Sequence, residues 1–345
     1  MNKKSIRRWV FNLVFFAAIM ALTVWSVLKD QDPAATMSAV RRMKWPYLAA
    51  SVALSVLFVA GEGTMIWYLL RGIGERTTLP RCISYSFIGF LFSGVTPSAT
   101  GGQPMQLYYM KRHGNTLGAS TVVLMTVATI YKFVLVVLGA GIAVFWNAPL
   151  KAYLKGYYGL YFLGLSLNAA VTAVLLLVMF SPGVIRALFY RAQRLLVRLR
   201  LWKEKEERNA KMEQFLSNYQ GTVAFLKSHR GMIQITVAGT FLQRFCVFLL
   251  TYVVYRGLGL SGTAMPDIVL AQASVYIAVD MLPVPGAQGI TEAMYRCVFA
   301  GVFRGSALVA SMCITRGVSF YLMLVAGFLV FCAANRQNAS KSACE

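Results

Sequence analysis

Seven ionisable residues sit inside long apolar stretches of this chain: Glu62, Lys132, Arg244, Asp280, Glu292, Arg296 and Arg316. A charge in hydrocarbon costs about 2.5–3.5 kcal/mol on insertion scales, so such groups usually face a cavity or a partner. Lys132, Arg244 and Arg316 together would make a cationic cavity suited to an anionic group. Glu62, Asp280 and Glu292 are the candidates for coupling to protons. The competing reading is internal salt bridging, for example Glu62 with Lys132, or Glu292 with Arg296 one helical turn on.

A second kind of chemistry is carried by backbone. Two apolar segments, about 82–110 and 267–303, are broken by proline–glycine clusters. The first cluster holds Thr96, Pro97, Gly101, Gly102, Gln103 and Pro104, and the second holds Pro283, Pro285, Gly286 and Gly289, with Glu292 following. Irregular backbone survives at membrane depth only inside protein or beside a wet cavity. Paired breaks in the two halves of a chain point to a substrate site. Pro104 suits the first turn of a helix, so a half-helix starting near Gln103 would aim free N–H groups and its positive dipole end inward. Gly101 and Gly102 would let a phosphate approach the backbone, and Gly286 to Gly289 could do the same from the other side. The alternative for both clusters is a tight structural turn.

Membrane-spanning elements must position these groups. A chain of 345 residues with 58% hydrophobic residues and a mean hydropathy of +0.60 exposes too much apolar surface to be a soluble globule. Its apolar runs of about 20 residues mark an all-α polytopic membrane protein. Six segments are long enough to cross: about 9–28, 47–70, 119–146, 157–180, 231–255 and 306–334. The apolar pieces on either side of the first break are too short to span about 30 Å at 1.5 Å per residue. That segment reads as a re-entrant hairpin, and the second break is assigned likewise.

Basic residues orient the layout. The formal charge of +22 comes mainly from residues at the ends of apolar segments, as the positive-inside rule expects. No nucleic-acid motif accompanies that charge, so nucleic acid is not an expected partner. With Lys3, Lys4, Arg7 and Arg8 inside, both termini and the loop 181–230 are cytoplasmic. That loop holds 11 Lys/Arg against 4 Glu. Arg41, Arg42 and Lys44 then fall outside, against the rule. The basic start resembles a signal peptide, but its apolar part is long and no small-residue cleavage site follows, which favours a retained first helix.

The two hairpins would enter from opposite faces, as in an inverted repeat. Spacing agrees: Pro97 lies 50 residues after the start of its preceding helix, and Pro283 lies 52 after its own. The chain is therefore read as one membrane domain, 1–345, with repeat halves about 47–146 and 231–334 and a cytoplasmic amphipathic loop 181–230. In that loop Val184–Trp202 sets Leu188, Leu195 and Leu199 among Arg186, Arg191, Arg194 and Arg198, a basic helix that would anchor to, or gather, anionic headgroups. Met212, Phe215, Leu216, Tyr219, Val223 and Leu226 form an apolar face expected to pack on it.

Six cysteines are scattered without a CxxC pair, and His113 and His229 lie far apart beside basic residues. No metal site, disulfide framework or cofactor is expected. No P-loop, GxSxG or HExxH motif marks an ATPase, hydrolase or metalloprotease.

The motif Thr96-Pro97…Gly101-Gly102-x-Pro104, running on to Lys111-Arg112-x-Gly114, resembles the transmembrane (flippase) domain of the lysylphosphatidylglycerol synthase family. So do Leu282-Pro283-x-Pro285-Gly286-x-x-Gly289-x-x-Glu292 and Arg316 with the aromatic residues after it. The similarity in element order covers nearly the whole chain. The resemblance implies a membrane domain that moves a modified phospholipid, made in bifunctional members by a soluble lysyl-transferring domain. The chain reaches Glu345, eleven residues past Ala334, so lysyl transfer is not expected of it. The expected function is a lipid translocase of the bacterial inner membrane. Its substrate would be a phospholipid, such as aminoacylated phosphatidylglycerol, or a polyprenyl-linked lipid, and a separate lipid-modifying synthase is the expected partner. The rival readings are a phosphatidylglycerol lysyltransferase-type enzyme or its membrane subunit, and a secondary transporter of small solutes or ions.

Overall fold

The computed structural model describes residues 33–96, 99–181, 191, 206–282, 284–287 and 289–341, and every regular element among them is helical. In chain order these are α1 (Pro33–Arg41), α2 (Trp45–Gly72), α3 (Leu79–Val95), α4 (Gly102–Arg112) and α5 (Leu117–Phe145). Then come α6 (Asn147–Leu154), α7 (Tyr158–Phe180), α8 (Glu206–Ser228), α9 (Arg230–Gly257), α10 (Met265–Val279), α11 (Ile290–Phe299), α12 (Ser306–Arg316) and α13 (Leu322–Lys341). A π-helical turn, Gly317–Tyr321, joins the last two. Prolines in the first turns of α2, α3 and α10 fit the position where a missing N–H leaves no hydrogen bond unmade.

Five stretches of described helix are long and apolar enough to cross a membrane: α2, α5, α6 through Met179 of α7, α9, and α12 through Asn335 of α13. They correspond to five of the six expected spans. The remaining one, 9–28, lies outside the described residues, as do Pro97, Pro283 and, apart from Arg191, the basic stretch 184–202. Large apolar side chains such as Leu57, Phe145, Leu177, Leu242 and Leu329 face outward on these helices. That surface is compatible with hydrocarbon and ill suited to water.

Both expected breaks separate pairs of short helices. The first pair, α3 and α4, packs side by side and antiparallel: Gly102 lies against Ser93 and Gly89, Gln106 against Gly89, and Tyr85 Oη lies 2.8 Å from His113 Nδ1. The second pair is α10 and α11, which are also in contact. Each pair is flanked by two long helices. Lengths run 28, 17, 11 and 29 residues over α2 to α5, and 28, 15 and 10 over α9 to α11 before the final 30-residue stretch.

The centre of the molecule is the long contact between α2 and α9, with α3 and α13 packed together on one flank and α5 and α7 on another. Any contact of the apolar face of α8 with the basic stretch lies outside the described residues. Leu216, Tyr219, Val223 and Leu226 are buried, and α8 packs chiefly on α5, with α9 alongside.

Candidate functional site

The two breaks close in different ways. After α3, Thr96 turns its hydroxyl back to donate to the Phe92 carbonyl (2.7 Å) and accept the Gly101 N–H (2.8 Å). α4 then starts at Gly102. A Cβ on Gly102 would lie 2.1 Å from Ser93 Oγ and 2.8 Å from the Gly89 carbonyl, so the two helices approach too closely for any side chain there. The space that glycine opens at this point is therefore taken by α3. Gln103 and Pro104, the first residues beyond that contact, are exposed.

The second break is held by charge. Arg316 donates from Nε to Glu292 Oε1 (2.7 Å) and from Nη2 to the Gly286 carbonyl (3.1 Å). The other oxygen of Glu292 accepts the Gly289 N–H at 2.6 Å, which caps the start of α11. A helix N-terminus attracts an anion; here Glu292 is that anion. The backbone enters the left-handed region at Gly286 (φ 59°), Ala287 (φ 48°) and Gly289 (φ 81°). A Cβ on Gly286 would stand 2.4 Å from the Phe320 ring, which also carries the Arg316 guanidinium over its face at 4.6 Å.

Asp280, at the end of α10, pairs with Lys132 and accepts the Tyr131 hydroxyl, both from α5. Neither pairing expected from the sequence forms. Glu62 accepts Gln106 Nε2 of α4 at 2.6 Å instead of meeting Lys132, and Glu292 pairs with Arg316 instead of Arg296. The partners lie 24 and 148 positions apart along the chain, where helical periodicity carries no information.

Arg244 differs from the other two cations. It is 6% exposed, and among the described residues no carboxylate pairs with it. Its guanidinium sits 4.1 Å from the Tyr131 ring centre, 4.6 Å from Phe58 and 5.8 Å from Tyr276. It donates to Tyr276 Oη (3.1 Å), while its buried Nε has no protein partner. Aromatic faces, the Tyr276 hydroxyl and the Gln243 amide oxygen stand in for a direct ion pair here. Of the three cations expected to share a cavity, two are thus held in ion pairs and one is a caged guanidinium.

A cavity of about 210 Å³ lies beside these groups. Ser93 and Ala99 line it from the first break, Asp280, Gly286 and Arg316 from the second, and Phe58 and Tyr276 form the wall in front of Arg244. Thr315 also lines it, with a buried hydroxyl lacking a protein hydrogen-bond partner. Lys132, Glu62, Gly101, Gly102, Gln103 and Pro104 are not on the wall. Gln106, Tyr131 and Tyr276 are the residues that sequence reasoning missed. They lie in apolar or helix-forming runs with no local signal, and only the fold brings them to a charge.

A multi-pass, all-helical membrane protein with a cavity between two broken segments is the class these features define. The chain belongs to the family described as the lysylphosphatidylglycerol synthase TM region, whose model matches residues 9–327. Membership links the protein to membrane-lipid biology. A comparison with curated proteins found no match.

Proposed function

We propose that this protein is a translocase for a phosphate-bearing lipid in the bacterial inner membrane, with both termini in the cytoplasm. The observation that carries the reading is the shared cavity: two breaks, far apart in sequence, supply its walls together with Arg316 and Asp280. Ligand pockets usually enclose about 300–1,000 Å³, and this one is smaller. It suits a headgroup, with the acyl chains left in the bilayer.

In this mechanism the halves 47–146 and 231–334 form an inverted repeat, with the α3–α4 and α10–α11 segments entering from opposite faces. The lipid phosphate competes with Glu292 for Arg316 and for the Gly289 N–H, and Arg244 adds a positive field behind the aromatic wall. Lys132 is released from Asp280 as the headgroup passes. Glu62, Asp280 and Glu292 are the groups whose protonation would couple transport to the proton gradient. The substrate class is a phospholipid, including aminoacylated phosphatidylglycerol, or a polyprenyl-linked lipid. A separate synthase would supply a modified lipid, and the basic stretch 184–202 would gather anionic headgroups near the entrance.

The test is a flip assay in proteoliposomes with labelled phosphatidylglycerol, lysyl-phosphatidylglycerol and a polyprenyl phosphate. Arg316→Ala and Glu292→Gln should each slow transfer of the true substrate at least about tenfold, the loss expected for about 1.4 kcal/mol of interaction. Wild-type rates in both variants would remove these residues from the mechanism, and lack of flipping of every lipid by the wild type would remove the translocase reading.

A further inference from the structure

A second cavity lies away from the breaks. α5, α7, α8 and α9 enclose a groove of about 560 Å³ whose walls are almost wholly apolar. Val122, Ile130 and Phe133 of α5 face Ile233 and Val237 of α9 across it, and Met179 closes the end of α7. Two cations, Lys227 and Arg230, line one end, where α8 turns into α9. Both are exposed, while Val122, Thr126, Met179 and Leu226 are buried. Phe133 is 43% and Leu176 36% exposed, so the groove also opens sideways through the outer surface of the bundle.

Depth identifies the occupant. Arg230 is the first residue of a membrane-spanning helix, so the charged end lies at a membrane surface. From Val122 to Phe133 the groove follows α5 for about 16 Å at 1.5 Å per residue, close to half of a hydrocarbon core roughly 30 Å thick. An apolar slot one leaflet deep with cations at its mouth matches an acyl chain below a phosphate. Basic pockets between membrane helices hold anionic headgroups for the same reason. We infer that this groove binds one anionic phospholipid of the adjoining leaflet, its chain between α5 and α9 and its phosphate at Lys227 and Arg230. The site shares no lining residue with the break-lined cavity, and it stands whether or not the protein moves lipid.

The experiment uses the full chain in nanodiscs with phosphatidylglycerol carrying a photoreactive acyl chain, and phosphatidylcholine with the same chain as the comparison. Labelling should fall on residues 126–133 and 233–237, more strongly with phosphatidylglycerol. The surface double variant Lys227→Gln/Arg230→Gln should weaken phosphatidylglycerol labelling about tenfold or more, since each basic residue near an anionic headgroup is worth roughly fivefold. It should leave phosphatidylcholine labelling unchanged. Ile130→Trp, which fills the slot, should reduce both; if that variant does not fold, the charge variant still decides. Equal labelling by the two lipids, an unaltered pattern in the charge variant, or an unlabelled groove with label on 182–205 would each overturn the inference. So would competition by soluble glycerol phosphate, which would indicate a site for free phosphate.

Discussion

The first break is closed by a hydroxyl and close helix packing, the second by an ion pair. At the first, Thr96 satisfies a carbonyl and an N–H while Gly102 lets α4 lie against α3. At the second, Glu292 and Arg316 bind one another and two backbone groups of the turn. A neutral closure fixes shape and offers little to an ion. A charged closure already contains the groups that would bind one, so it can exchange an internal partner for an external one. On the proposed function, the second half of the chain carries the chemistry of the cavity, and the first half contributes part of its wall.

The largest test of this contrast is Arg316→Ala. It leaves the carboxylate of Glu292 buried without its cation, which costs about 3–5 kcal/mol, read by unfolding in detergent. Adding Glu292→Gln should recover part of that loss; a double variant no better than the single would show that the pair does not hold the turn. Gly286→Ala comes next. It places a Cβ against the Phe320 ring at positive φ, and a left-handed non-glycine residue costs about 1–2 kcal/mol before the clash is counted. Gly102→Ala tests the neutral side, where overpacking costs about 1–3 kcal/mol and the change should loosen the α3–α4 contact without altering the ion pair. Thr96→Val keeps the shape and leaves the Gly101 N–H without its acceptor, for about 1–2 kcal/mol, near the lower part of the range for an unsatisfied donor. Gln103→Ala, at an exposed position, should change stability by less than about 0.5 kcal/mol. A large effect there would mean that the first break also carries chemistry.

The long helices were legible from composition. The expected spans 47–70, 119–146, 157–180 and 231–255 lie within two residues of α2, α5, α7 and α9 at each end, because apolar runs end where basic residues begin. Clusters of prolines and glycines marked both breaks, since several such residues close together break the helical ladder. Partner choice was not legible. Lys132 meets Asp280 across the bundle and Glu292 meets Arg316 rather than Arg296 one turn on, choices that spacing along the chain does not reveal. Arg244 was visible as a charge in an apolar run, but its partners are aromatic residues on three other helices, indistinguishable in sequence from ordinary core.

The order in which that cage is built bears on how the chain enters the membrane. Phe58 and Tyr131 belong to α2 and α5, which are synthesised before α9, and Tyr276 belongs to α10, which follows. Chains are made and begin to fold from the N-terminus. When Arg244 arrives, two of the three rings that shelter its charge are already in the bilayer, and the third is added as the next helix emerges. A permanently charged residue near mid-span would otherwise hold α9 back at insertion. The sequence order of the cage gives the guanidinium a place to go before it has to leave water.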